Sequence, residues 1–264
     1  MRSDLTDNLQ GTISVVSHDH GPLLRALLGD LSDQHGIDAW HILVTLNISE
    51  PLDVTEFPKL CLTIIRNSQP LGFGANHNAA ARAAGGQLLL IVNPDIRLPD
   101  RDALVRIAGL RWDLEPAALR APIVVAPDGS VEDSVRANLS PLNLLRRRRR
   151  STSGWDIKPT DPVFFWLAGM FLIAPLDAFL RIGGFDERFR LYCEDYDLSA
   201  RWRIAGGNVE IVPDLRVIHD ARRDSHKSWR HMRWHLASLA RVWTSTPFWR
   251  IVIHRHRRAP GEPA

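Results

Sequence analysis

The sequence predicts an α/β layer fold with a mostly parallel sheet, and three observations carry that prediction. Short β-branched or apolar runs recur at 13–17, 41–46, 61–65 and 87–93. Helix-patterned stretches follow the first and third of them, and strands alternating with helices at this pitch build a sheet covered by helices. The run QLLLIVN at 87–93 is almost wholly apolar, as a central strand buried on both faces must be. A chain of 264 residues with 45% hydrophobic and 24% charged positions is long enough to bury one sizeable core. Those proportions exclude disordered, collagen-like and coiled-coil chains.

In chain order, ISVVS at 13–17 reads as a strand, His18 to Pro22 as a loop, and LLRALLGDL as a helix. HILVTL at 41–46 and CLTII at 61–65 repeat the strand signal across a Pro-containing connector. After Arg66 comes the turn-rich NSQPLGFG, then ANHNAAARAA, whose alanines favour helix and which stops at Gly85-Gly86. The strand at 87–93 ends at Pro94. Residues 121–126 and 163–173 read as further strands, 194–205 as a helix closed by Gly206-Gly207, and 209–212 with 216–218 as a final strand reaching His219.

Active sites of such sheets lie at the carboxyl ends of the strands. The residues there are His18-Asp19, Asn47, Asn67 and Asn93-Pro94-Asp95. A carboxylate on the proline-stiffened turn at Asp95 suits a hard divalent cation that shares its oxygen ligands with a phosphate, and equally suits a turn aspartate that caps local N–H groups. Glu194, Asp195 and Asp197 open a helix, where acids favour the macrodipole; three acids in four residues exceed what a cap requires, and one can serve as general base. His219 at a strand end can ligate a metal or hold a phosphate. Gly72 and Gly74 stand where a loop enters a helix, but neither the Rossmann nor the Walker pattern is complete, so a tight turn is the expected role.

Taken together and in this order, NSQPLGFGANHNAAARAAGGQLLLIVNPDIRL, WLAGMFLIAPLDAFLRIGGFDERFRLYCEDYDLSARWRIAGG and VIHD resemble the inverting nucleotide-sugar glycosyltransferases of family two, within them the bacterial rhamnosyltransferase-like group. The resemblance spans about residues 12–220. It implies a GT-A fold, a nucleotide-diphospho-sugar donor and Mg²⁺ or Mn²⁺. It maps the metal and diphosphate contact to Asp95 with His219 as a further ligand, and the base to Asp195 with Glu194 beside it. Ser17, Asp19, Asn47, Asn67, Gly72, Phe73, Asn76, Asn78 and Asn93 would form the donor site, with Gly169 beside a sugar. Leu46 stands where such enzymes carry an aspartate that reads the base. The implied donor is dTDP-L-rhamnose, with a UDP-sugar as the alternative, and the acceptor a saccharide or lipid-linked sugar of bacterial cell-surface polysaccharide or lipopolysaccharide. A member that kept the fold and lost catalysis is the other alternative.

The formal charge of +3 is unevenly placed. Residues 221–264 carry nine Arg and Lys227 against Asp224 and Glu262, a balance of +8 that leaves −5 on the preceding 220 residues. Four of the nine tryptophans fall in this tail, so it reads as an amphipathic helical extension. Trp229, Met232, Leu236, Leu239, Ala240 and Trp243 are its expected docking stripe. Trp and Arg on one helix also suit an anionic membrane surface, which predicts peripheral attachment. The run Arg146 to Arg150 could in principle bind nucleic acid, but no nucleic-acid fold accompanies it and none is expected as a partner. Cys61 and Cys193 make no disulfide framework or zinc spacing, and MRSDLTDNLQ has no apolar signal core, so a reducing cytoplasmic location is expected.

Overall fold

A computed structural model of the protein describes residues 9–141, 164–220 and 229–257. The arginine run 146–150 and the start of the apolar run at Val163 lie outside the described residues. Ten strands are present there: β1 Gly11–Ser17, β2 Trp40–Leu46, β3 Cys61–Arg66, β4 Leu88–Val92, β5 Ile96–Arg97, β6 Ala118–Val125, β7 Val135–Ala137, β8 Phe165–Leu167, β9 Phe171–Pro175 and β10 Asn208–His219. The α-helices are α1 Gly21–Ser32, α2 Phe73–Arg82, α3 Ala103–Ala108, α4 Leu176–Arg181, α5 Glu194–Ile204, α6 Trp229–Thr244 and α7 Thr246–Arg257.

Eight strands form one sheet in the order β3-β2-β1-β4-β9-β6-β10-β5, and β7 pairs with β8 separately. Pairs β1/β2, β2/β3, β1/β4 and β6/β10 are parallel, whereas β9 runs antiparallel to both β4 and β6. The sheet is therefore mostly parallel with one reversed strand in its middle. Because β9 is reversed, its beginning lies at the edge where β4 ends, and Val92 pairs with Phe171. Every residue of β4 is buried, which accounts for its continuous apolar sequence.

The apolar run 163–173 is not one strand. It breaks at Ala168-Gly169-Met170, so that β8 joins the small sheet and β9 the large one. Hydrophobicity alone does not show the break, because both halves are buried on different partners. The runs 209–212 and 216–218 form the expected final strand, β10, whose register shifts between Val212 and Arg216.

The tail packs on α5. Leu139, Trp166, Phe189, Cys193, Tyr196 and Ala200 share one cluster with Leu239, Val242 and Phe248. Burying those last three side chains contributes roughly 1.5–3 kcal/mol each. Of the expected docking stripe, Leu239 is buried while Met232 and Leu236 are 56% and 60% exposed. The docked face runs through Ser238, Leu239 and Val242 instead. Helical periodicity locates an apolar face, but the neighbouring element decides which edge of it is covered.

Candidate active site

The carboxyl edge of the sheet gathers the ends of β1 to β4, β6 and β10 and the start of β9. At this edge the turn Ala168-Gly169-Met170 sits between two groups of acids. On one side Asn93 donates its backbone N–H to Met170 O at 2.9 Å. On the other, Gly169 donates its N–H to Asp195 Oδ2 at 3.0 Å. One turn thus joins the NPD segment to the Glu194-Asp195 pair.

On the NPD side, Asp95 Oδ2 lies 3.2 Å from His219 Nε2, and His219 Nδ1 lies 2.7 Å from Glu132 Oε2. The backbone fixes this contact, because β5 pairs His219 with Ile96 and Asp220 N–H donates to Asp95 O at 2.8 Å. Asp95 Oδ1 is buried and has no hydrogen-bond partner. Burial alone would lower the His219 pKa, but the hydrogen bonds and charges of Asp95 and Glu132 outweigh it and raise it to about 9. Near neutrality the ring is therefore an imidazolium between two carboxylates. Sequence reading places Asp95 and His219 correctly at one edge and misses Glu132, which is 87 residues from its partner and carries no local signal.

On the other side, Tyr192 and Cys193 have φ of +73° and +66°, left-handed values that side chains rarely adopt. This bent approach starts α5 so that Asp195 faces Gly169. Asp195 accepts two backbone N–H groups, from Gly169 and from Tyr196 at 2.9 Å. Burial raises its pKa, while the Arg136 charge and those two N–H groups oppose the rise. Glu194 is buried, with Oε2 lacking a partner, and burial together with the neighbouring Asp195 charge pushes its pKa well up. The environments separate the two acids: Asp195, supported by N–H donors, is the more readily ionised of the pair. Asp197 has a structural part, since Arg201 holds it at 2.7 Å and also donates to Ile182 O and Gly184 O.

The C-terminal helix grips this approach. Ser238 donates its hydroxyl to Leu191 O at 3.0 Å, the His235 ring lies 5.3 Å from Tyr192, and Arg190 lies over Trp234 at 5.2 Å. Arg241 lies over Phe189 at 5.8 Å.

The predicted donor residues divide into two groups. Phe73 converges with Asp195, because a Cβ added to Gly169 would stand 3.4 Å from the Phe73 ring and 3.6 Å from Asp195 Cβ. Gly72 and Gly74 provide no open cradle. A Cβ would stand 2.8 Å from Arg190 O at the first and 2.6 Å from Phe185 Cβ at the second, so both glycines allow close packing. The asparagines brace the fold. Asn47 pairs with both backbone groups of Leu71, accepting at 2.8 Å and donating at 3.0 Å, and its Oδ1 accepts from Asn67 at 2.9 Å. Asn67 in turn donates to Asn76 Oδ1 at 2.7 Å. Asn78 is 5% exposed and pairs with the N–H and C=O of Phe185, each at 2.8 Å. Ser17 accepts from His20 N–H at 3.3 Å, and Asp19, with φ of +63°, donates its N–H to Glu50 at 3.2 Å. Leu46 is 1% exposed and offers nothing to a ligand. Beside these strand ends lies a cavity of about 630 Å³ lined by Arg25, Ser49, Glu50, Leu52, Asp53 and Arg66, and by neither Asp95 nor Asp195.

Over 254 residues, 87% of this chain and 90% of the relative, the chain is 29% identical to rhamnosyltransferase WbbL of Escherichia coli (strain K12). The chain is a glycosyltransferase similar in sequence to this rhamnosyltransferase. Its 32% identity to the N-acetylglucosaminyl-diphospho-decaprenol L-rhamnosyltransferase of Mycobacterium tuberculosis covers 57% of the glycosyltransferase described here and 51% of that relative. No family model matches. The glycosyltransferase has the GT-A fold. It superimposes on mannosyltransferase PcManGT of Pyrobaculum calidifontis, solved with GDP-Man and Mn²⁺, at a TM-score of 0.62 and 20% identity over 92% of this chain and 68% of that one. S. aureus TarS 1–349 with UDP-GlcNAc gives 0.59 and 15% identity over 89% and 67%.

Proposed function

We propose that this glycosyltransferase inverts a sugar centre, moving L-rhamnose from dTDP-L-rhamnose to a saccharide or lipid-linked acceptor during cell-surface polysaccharide synthesis. The observation that carries the reading is the Ala168–Met170 turn, which is bonded on one side to Asn93, two residues before Asp95, and on the other to Asp195. An inverting displacement needs a base on one face of the sugar and charge stabilisation for the departing diphosphate on the other. The rhamnosyltransferase names of two relatives support the sugar. The decaprenol in one name supports the lipid-linked acceptor.

Asp195 would accept the acceptor hydroxyl's proton as the new bond to the anomeric carbon forms. Its two N–H donors keep it aimed and favour its ionised form, while burial and the Asp195 charge push neighbouring Glu194 toward its neutral form. Gly169, without a side chain, keeps the narrow gap between Asp195 and Phe73 free of a methyl group. Asp95 and His219 fit a Mg²⁺ or Mn²⁺ site, since the buried, unpartnered Asp95 Oδ1 faces no protein donor. Among the described residues no three such side chains form a ready-made metal cage, which suits a cation held by one or two protein ligands plus substrate phosphate. Such a cation, when bound, neutralises charge on the leaving diphosphate.

The exposed pairs Met232/Leu236 and Trp249/Ile253, each at i and i+4, support contact of the tail with an anionic membrane at its cytoplasmic face. No described helix is long and apolar enough to cross a membrane.

Thermal stabilisation tests the donor, because a ligand that binds the native state raises stability by mass action. With Mn²⁺ present, dTDP-L-rhamnose should raise the unfolding temperature more than UDP-sugars or GDP-mannose. Preference for a UDP-sugar would replace the proposed donor, and no response to any nucleotide sugar would remove the transferase mechanism.

A further inference from the structure

An imidazole that must meet a ligand at one nitrogen needs its tautomer and its ring rotation settled by something at the other nitrogen. Glu132 is placed to do both. Its carboxylate Oε2 is 2.7 Å from His219 Nδ1, and a carboxylate only accepts, so a proton stays at Nδ1 and Nε2, facing Asp95, is the nitrogen left to exchange its proton for a cation. The support is itself rigid. Glu132 N–H donates to Val124 O at 2.9 Å, Ser134 N–H donates to Glu132 O at 2.8 Å, and Val131 bridges to Val125. The residue thus stands on a loop stitched to the end of β6, the strand beside β10 that carries His219. The His219 and Glu132 side chains are 14% and 26% exposed, so water competes weakly for this bond. Asp95 on the far side completes a line of acid, imidazole and acid in which only the Asp95 end has an unpartnered buried oxygen.

We propose that Glu132 is a positioning residue that sets His219 for a divalent cation shared with Asp95. This rests on the metal reading of Asp95 and His219 given above. Glu132 touches neither sugar nor cation; it acts through the ring.

The test is Mn²⁺ affinity of the full chain, read from the free-Mn²⁺ signal in electron paramagnetic resonance with dTDP present. Glu132→Ala and the space-filling Glu132→Leu should each weaken Mn²⁺ binding roughly 10–100-fold, the range for loss of a partner that orients a metal ligand. Glu132→Gln, whose amide oxygen can still accept, should lose less. In a His219→Ala background, Glu132→Leu should cause no further loss. Native-like circular dichroism of each variant shows that the fold is intact. Parent-like affinity in folded Glu132→Leu would overturn the proposal, as would an equal extra loss on top of His219→Ala, which would mean that Glu132 acts independently of the ring. If His219→Ala itself binds Mn²⁺ like the parent, the metal reading of His219 fails first, and this outcome is distinct from the other two.

Discussion

His77 should make the protein acid-sensitive in a way that one substitution removes. It lies on α2, fully buried, with Nδ1 2.8 Å from Ser14 Oγ on β1 and Nε2 without a partner. Burial lowers its pKa from 6.5 to about 3. The unfolded chain takes up a proton below pH 6.5 and the folded chain does not, so this group's contribution is intact above pH 6.5 and is lost as pH falls toward 3. At about 1.4 kcal/mol per unit, the loss is about 2 kcal/mol at pH 5 and about 3 kcal/mol at pH 4. His77→Gln can keep a bond to Ser14 but takes up no proton. Urea unfolding of both forms at pH 7.5, 6, 5 and 4 should show the parent falling more steeply by those amounts, with carboxylate titration common to both. Parallel curves would refute the argument. The active site would feel the same change, because the Phe73 ring packs edge-on against His77 with centroids 4.4 Å apart and borders Gly169 on its other side.

Asp195→Asn should reduce sugar transfer roughly 10²- to 10⁴-fold while donor-induced thermal stabilisation persists; full transfer, or loss of donor binding as well, would remove Asp195 as base. Gly74→Ala brings a Cβ to 2.6 Å from Phe185 Cβ, and overpacking of this kind should destabilise the chain by about 1–3 kcal/mol in chemical unfolding. Asn78→Ala leaves the Phe185 N–H and C=O unsatisfied and should cost about 1–3 kcal/mol for each group left buried, measured the same way. Leu236→Glu with Trp249→Glu should reduce flotation with anionic liposomes at low salt and leave donor stabilisation unchanged; unaltered flotation rejects the membrane contact.

The strand β4 was legible because burial on both faces requires continuous hydrophobicity, and β1 and β2 by their β-branched and apolar residues, although Thr12, Ser14 and Thr45 are buried among them. The positions of Asp95, Asp195 and His219 were legible, each standing at an element end on the carboxyl edge of the sheet. Three things were hidden, for different physical reasons. The insertion of reversed β9 between β4 and β6 depends on pairing partners, and an apolar run is silent about direction. The break at Gly169 interrupts no hydrophobic pattern, since both halves are buried. Glu132 reads as a loop acid until the fold brings it to His219. The bracing of Phe185 by Asn78 was hidden as well, because its two backbone partners lie 107 residues away.

The grip of α6 on residues 189–192 has a consequence for where the enzyme can be cut. A chain ending at Asp220 would retain all ten strands, Asp95 and His219, so it would still offer a surface for a nucleotide. It would lose the Ser238 hydroxyl on Leu191 and the ring contacts on Tyr192, the restraints beside two left-handed residues. Released from them, the backbone would relax toward ordinary angles and turn Asp195 away from Gly169. The smallest unit that binds and the smallest unit that catalyses would then be different lengths of the same chain.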